Sequence, residues 1–182
     1  RFQYAGKCKT NPNITRRVGG NTNLEIQVYT ARFAVQELER IHSHILWAGV
    51  AGHEVGFDTI LHLTWNVRED IQDVLEAWTG NRVNYAMYAI GGARRDITPE
   101  IEARLRKSLD YYKSIYSTLE EIFLDDITLG MRLKNVGVLT YNDAVNLSAV
   151  GPTARGSGVK IDVRVTHPFS AYGDLDLDII TP

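Results

Sequence analysis

The chain has 182 residues and a formal net charge of −2, and its composition of 44% hydrophobic and 23% charged residues is ordinary for a globular protein. The near-neutral charge gives no electrostatic basis for binding nucleic acid, and no apolar run approaches the roughly 20 residues of a membrane-spanning helix. The single cysteine, Cys8, excludes a disulfide framework and any Cys-x-x-Cys site within this sequence, so an intracellular location is the default expectation.

The N-terminal part is poor in apolar residues and rich in turn-forming ones. Residues 1–23 are therefore expected to form a loop or a short strand with a weak hold on the rest of the chain. Residues 24–29 alternate in polarity, which favours a strand there.

Two long amphipathic helices follow, joined by a glycine-containing turn. Thr30 is a plausible N-cap for the first, which is expected to end near Ala48 because Gly49 and Gly52 follow. The second is expected to run from near Glu54 to residue 79. Apolar residues recur at helical spacing in both: Ala34, Leu38, Ile41, Ile45 and Ala48, then Ile60, Leu63, Val67, Ile71, Val74 and Trp78.

A short β-favourable run at residues 85–90 precedes three further predicted helices. Thr98 and Pro99 are typical of a helix start, and the apolar spacing extends that helix to about Phe123. An aspartate at 125 or 126 is expected to cap a shorter helix through residue 134. Thr140 begins a capping-box pattern for another short helix, to about residue 148.

The C-terminal part alternates strictly in polarity. Residues 159–165 and 175–179 each place apolar side chains at every second position, which predicts two strands joined as an irregular hairpin. The fold class predicted from the whole pattern is mainly α, a long-helix bundle with a small antiparallel β appendage near the C-terminus.

Polar residues concentrate where the two long helices join. The histidines at 42, 44, 53 and 62 lie around this turn with Glu54 and Asp58. Some of them could form a carboxylate–histidine metal site, but the spacing is loose, and histidines hydrogen-bonded to neighbouring groups are the favoured interpretation. Glu54 and Asp58, expected on one helix face, indicate either a carboxylate that handles protons or acids that stabilise a helix N-terminus.

Two cations, Arg94 and Arg95, follow Gly91-Gly92 and precede the start of a helix. This arrangement is compatible with an anion site, and equally with an ordinary turn that carries solvated arginines.

Several short motifs recur along the chain in one order and spacing. They are 37–47 (ELERIHSHILW), 54–56 (EVG), 68–69 (RE), 79–82 (TGNR), 91–92 (GG) with Asp96, 151–152 (GP), 155–158 (RGSG) and 162–164 (DVR). Together they resemble one family, the large subunit of energy-converting, membrane-bound [NiFe] hydrogenases and its relative, the 49 kDa or D subunit of respiratory complex I, which forms the quinone site. The resemblance covers most of the chain, roughly residues 31–172.

The resemblance implies a helical core subunit of an oxidoreductase, acting at the cytoplasmic side of the membrane as a peripheral subunit. Its implied partners are an iron–sulfur small subunit and a membrane arm. Its implied role is electron transfer between the partner's cluster and a nickel–iron or quinone site. By the same resemblance, Glu54, Asp58 and His53 line the central cavity as the catalytic candidates, and Arg94 and Arg95 face the partner's iron–sulfur cluster.

This sequence departs from the family at its cysteines. The hydrogenases hold nickel and iron with two Cys-x-x-Cys pairs, and one cysteine cannot supply four thiolates, so no metal or cofactor is expected to be bound by these residues themselves. The resemblance therefore implies a fragment, with residues 1–25 as an unmatched segment and 26–182 as the helical core. Two alternatives remain: a non-catalytic assembly or scaffold module, or a small metalloprotein centred on His42, His53, Glu54 and His62.

Overall fold

The computed structural model describes residues 22–89 and 92–182. Of the loop or short strand expected at residues 1–23, residues 1–21 lie outside the described part of the chain, and residues 22 and 23 are helical. The described chain is mainly α, as predicted. Its helices, in chain order, are α1 (Thr22–Glu54), α2 (Asp58–Thr79), α3 (Pro99–Asp125), α4 (Ile127–Leu133), α5 (Tyr141–Asn146), α6 (Gly151–Gly156) and α7 (Val163–Thr166), followed by a 3₁₀ turn at Ser170–Asp174.

The first long helix corrects two expectations. Because α1 already begins at Thr22, the strand expected at residues 24–29 is wrong and Thr30 is not its N-cap. The helix also continues through Gly49 and Gly52. A Cβ at Gly49 would overlap Thr64 Oγ1, and one at Gly52 would lie 3.0 Å from Ile60 Cβ. Both glycines therefore permit close approach of α2 instead of ending the helix.

The core lies where α1 and α2 face each other, since these two helices form the most extensive packing in the described chain. Fully buried aliphatic side chains come from both helices, and the segment after α2 adds Tyr85 and Met87. Burial of each such side chain contributes about 1.5–3 kcal/mol, so this pair of helices is the main stabilising element. The core members are Ala31, Val35, Leu38, Ile45, Val67, Ile71, Leu75, Trp78, Tyr85 and Met87.

The second long helix is shorter than predicted at its start and ends as predicted. It begins at Asp58, not near Glu54, because the chain turns sharply at Gly56 (φ +79°). Its C-terminus is closed by Gly80 in the left-handed conformation (φ +83°), whose N–H donates to Glu76 O. Glycine adopts this conformation at little cost, which is why the helix stops there.

A two-stranded antiparallel ladder connects α2 to α3. Strands β1 (Tyr88–Ala89) and β2 (Gly92–Ala93) pair with Tyr88 opposite Ala93. Within the predicted run 85–90, residues 88 and 89 are strand and 85–87 are not, and residue 90 lies outside the described residues. The hydroxyl of Thr98 accepts from Ile101 N–H and caps α3, as the sequence predicts. Asp126 caps α4 in the same way, by accepting from Leu129 N–H.

The second compact unit comprises Asn135–Pro182, whereas the described residues up to Lys134 form the first. The C-terminal hairpin predicted in the second unit is wrong. Residues 163–166 form α7 because the Asp162 side chain accepts from Arg164 N–H and starts a helical turn. Residues 175–182 are irregular and belong to no ladder among the described residues.

Candidate functional site

The turn between α1 and α2 carries the predicted catalytic candidates. Gly56 N–H donates to His53 O and Phe57 N–H to Gly52 O, both at 2.8 Å, which closes α1 and reverses the chain. His53 Nδ1 lies 2.6 Å from Asp58 Oδ1. In this arrangement the carboxylate accepts the hydrogen bond from the ring N–H at Nδ1. The other ring nitrogen, Nε2, is then available to bind a proton or to accept a hydrogen bond.

Glu54 lies next to this pair but not as expected. It is the last residue of α1, whereas Asp58 is the first of α2, so the two acids do not share a helix face. The expectation failed because it required one continuous helix through Gly56. All three candidates, His53, Glu54 and Asp58, are exposed in the described chain. Their roles remain predictions.

The other histidines of this region do not join the pair. His42 is buried, whereas His44 and His62 are exposed. Burial lowers the pKa of His42, and the nearby Arg68 lowers it further, against a smaller opposing effect of Glu69. No group of three or more histidine, cysteine, aspartate or glutamate side chains with metal-binding geometry occurs among the residues that the structure describes.

Sequence reasoning missed the residue that holds this turn. Arg132 of α4 donates from Nη1 to the carbonyl of Val55. A Cβ at Gly56 would lie 2.8 Å from the same nitrogen, so glycine leaves room for the guanidinium. The pair is separated by 77 residues in the sequence, and no local pattern signals it.

The second candidate pair, Arg94 and Arg95, follows β2. Arg94 N–H donates to Met87 O at 3.0 Å, which extends the hairpin by one bond. Arg95 Nη1 donates to Trp78 O at 3.3 Å, and Trp78 Nε1 donates to Asp96 O at 3.1 Å. The end of α2 therefore fixes the loop on which both arginines stand.

A cavity of about 330 Å³ opens beside these arginines. Its walls combine two cations, a hydroxyl, an amide and two largely buried side chains. Burial raises the pKa of the Tyr85 hydroxyl, and Glu39 raises it further. The lining includes Thr79, Asn84, Tyr85, Met87, Arg94 and Arg95.

The two candidate sets lie at opposite ends of α2. The His53–Asp58 pair is at its N-terminus, and Arg95 contacts its last turn. A helix of 22 residues spans about 30 Å at 1.5 Å per residue. A single small cavity therefore cannot include both sets.

Two charged clusters were not predicted from the sequence. Arg82 donates to three carboxylates on one face of α2, those of Glu69, Asp73 and Glu76, and these hydrogen bonds raise its pKa. The spacing of the three acids at i, i+4 and i+7 was the available signal.

In the second unit, Asp162 accepts from Arg155 Nη1 at 3.0 Å and from Arg164 Nη2 at 2.8 Å. Hydrogen bonding to Arg164 holds the pKa of Asp162 at about 2, below its usual value. Arg164 also lies over the ring of Tyr172, with 5.9 Å from Cζ to the ring centroid. Residues from two of the matching segments, 155–158 and 162–164, are thus bonded to each other.

These motifs indicate a class of oxidoreductase subunits, and comparison with known sequences establishes that the chain belongs to this class. The family described as "Respiratory-chain NADH dehydrogenase, 49 Kd subunit" matches residues 54–182, which is more than half of the chain, and the chain belongs to this family. The resemblance stated from the motifs is therefore confirmed.

Particular relatives are oxidoreductase subunits. The chain is 49% identical over 184 residues to the alpha subunit of the membrane-bound hydrogenase of Pyrococcus furiosus, covering 99% of this chain and 43% of that protein. It is 35% identical to the C/D subunit of the NADH-quinone oxidoreductase of Phocaeicola vulgatus (97% of this chain, 34% of that protein). It is 33% identical to the D subunit of the F(420)H(2) dehydrogenase of Methanosarcina mazei (82% and 40%).

A solved structure shares the fold. It is that of the membrane-bound sulfane sulfur reductase, an archaeal respiratory membrane complex, with a TM-score of 0.80 and 26% identity over 92% of this chain and 45% of that chain. The chain thus spans less than half the length of these relatives. None of the helices described over residues 22–89 and 92–182 has both the length and the apolarity required to cross a bilayer.

Proposed function

We propose that this chain is the helical core of an oxidoreductase large subunit, through which electrons pass between an iron–sulfur cluster of a partner subunit and a nickel–iron or quinone site. The family membership supports this, because the relatives are subunits of hydrogenases and of NADH-quinone oxidoreductases. The proposal includes a peripheral position at the cytoplasmic side of a membrane arm, in keeping with relatives from membrane-bound complexes.

The observation that carries the proposal is the pair of exposed arginines held by the end of α2. A guanidinium is always charged, and the bonds to Trp78 O and Met87 O fix the loop that presents the pair. A fixed cation next to a partner's cluster would stabilise the reduced cluster, which carries one more negative charge. The described residues would act here through charge and position.

The residues of this sequence do not fit a nickel–iron centre. A centre held by four thiolates cannot be supplied by Cys8 alone. Any such centre, or a quinone, would therefore belong to the parent complex. At the other end of α2, His53, Glu54 and Asp58 are proposed to handle protons for that chemistry.

The test is the midpoint potential of the partner's cluster in the assembled complex, measured by EPR-monitored redox titration. A cation at about 10 Å with an effective dielectric constant of about 20 contributes about 1.7 kcal/mol, or about 70 mV for one electron. Arg94→Gln is therefore expected to lower the potential by about that amount. Arg104→Gln, an exposed cation on α3, is the matched control and should leave it unchanged.

An unchanged potential in Arg94→Gln, in a complex that still assembles, would refute the electrostatic role. That outcome would favour the scaffold module, since such a module contributes to assembly without acting on the cluster.

A further inference from the structure

The cavity next to Arg94 and Arg95 has the composition of a ligand site. It is lined by two cations, and no carboxylate is among its lining residues. Thr79 and Asn84 also line it, but the Thr79 hydroxyl already donates to Asn81 O at 3.0 Å and accepts from Asn81 N–H at 3.2 Å. We propose that this cavity is a carboxylate-binding site, occupied by an acidic side chain of a neighbouring subunit or by a small free carboxylate. The inference does not depend on the electron-transfer proposal, since it concerns binding at the cavity alone.

The guanidinium of Arg95 is held in position before any ligand binds. Its Nη1 donates to Trp78 O, and both Nη atoms lie close to Gly80. A Cβ at Gly80 would lie 3.0 Å from Nη2 and 3.2 Å from Nη1, so only glycine leaves this space open. A side chain already held in one position loses less conformational entropy on binding, which favours capture of a planar anion.

The two arginines are the main groups that a ligand would meet. Tyr85 is 8% exposed and Met87 is 1% exposed, so these side chains border the cavity but offer little surface to a ligand. A guanidinium fork matches the two oxygens of a carboxylate with two parallel hydrogen bonds. Inorganic phosphate is the competing anion, and a comparison of acetate with phosphate decides between them.

The first experiment titrates the isotope-labelled full chain with sodium acetate at constant ionic strength and follows backbone amide shifts. Saturable shifts confined to residues 78–96 are expected. Arg94→Gln and Arg95→Gln should each weaken binding by about tenfold or more, because a hydrogen bond to a charged group contributes about 1.5–3 kcal/mol. Arg104→Gln removes the same charge from α3 and should bind as the unmodified chain does.

A second variant keeps the test independent of folding defects at Arg95. Gly80→Ala retains both arginines and places a Cβ 3.0 Å from Arg95 Nη2, so it should also weaken acetate binding; because alanine is strained at φ +83°, its amide spectrum must be dispersed as well. A dispersed amide spectrum of Arg94→Gln shows that its loss of binding is not unfolding. Shifts that do not saturate, or equal affinities in Arg94→Gln and Arg104→Gln, would overturn the proposal. Tighter binding of inorganic phosphate than of acetate would overturn the choice of a carboxylate.

Labelling of arginines by phenylglyoxal in the assembled complex distinguishes the two sources. Protection of Arg94 and Arg95 from labelling without added acetate, measured by mass spectrometry, would indicate that a protein carboxylate occupies the site. Labelling that acetate suppresses would indicate a free carboxylate. Labelling that acetate does not affect would contradict the proposal. A changed cluster potential without acetate binding, or the reverse, separates this inference from the electron-transfer proposal.

Discussion

The contact between α1 and α2 at Gly49 allows a quantitative test of the packing. Thr64 is fully buried, and its hydroxyl donates to Ile60 O at 2.8 Å. A Cβ at Gly49 would overlap that hydroxyl oxygen and lie 3.3 Å from Thr64 Cβ. Gly49→Ala therefore either separates the two helices locally or forces Thr64 out of the rotamer in which it bonds Ile60 O, and both outcomes cost stability.

Two opposing effects determine the size of the change. Alanine in place of glycine favours a helix interior by about 1 kcal/mol. Overpacking of a closely packed contact costs up to about 3 kcal/mol. We expect Gly49→Ala to lower the free energy of unfolding by about 2 kcal/mol, measured by urea denaturation followed by far-UV circular dichroism.

The matched control is Gly130→Ala in α4. No heavy atom lies within 4 Å of the added Cβ there, so only the helix-propensity effect applies, and this variant should gain about 1 kcal/mol. Thr64→Ala combined with Gly49→Ala should recover most of the loss, because it removes the overlapping oxygen. Equal stabilities of Gly49→Ala and Gly130→Ala would refute the close-contact explanation.

Three further predictions concern the charged clusters. Asp162→Asn should lower the free energy of unfolding of the unit Asn135–Pro182 by about 2 kcal/mol, because Arg155 and Arg164 lose a charged acceptor. Asp174→Asn is the exposed control, and equal effects of the two substitutions would contradict this explanation. The pKa of Asp162 is depressed to about 2, so the carboxylate contributes fully to stability above the ordinary aspartate pKa near 3.8. This contribution is lost as the pH falls from about 4 to 2, and the free energy of unfolding measured across that range will show the loss. Arg82→Gln should speed amide hydrogen exchange in the last turn of α2 and leave α3 unchanged, and the difference from the unmodified chain should shrink at high salt.

Features set by local chemistry could be predicted from the sequence. The caps of α3, α4 and α5 at Thr98, Asp126 and Thr140 are present, because each side chain accepts from an amide only three residues away. The end of α2 at Gly80 is local in the same way.

Features set by tertiary contact were not predictable. Gly49 and Gly52 have the sequence character of helix stops, but they mark where α2 comes close, and only the packing distinguishes the two cases. The alternating C-terminal segment resembles strands, yet a strand requires a partner, and there the Asp162 side chain starts a helical turn instead.

The candidate sites were predicted in part. The sequence placed His53 and Asp58 near each other, and the structure joins them at 2.6 Å. It could not indicate that Glu54 and Asp58 belong to different helices, since that depends on the turn at Gly56. It also could not identify Arg132 or Gly80, which act across space on the turn and on Arg95.

The length of α2 separates the two candidate sites. A stiff rod of about 30 Å keeps the histidine–aspartate elbow and the arginine loop beyond direct reach of each other. Any coupling between events at the two termini must travel through the rod or through the surrounding field, and alterations at one terminus should combine additively with those at the other.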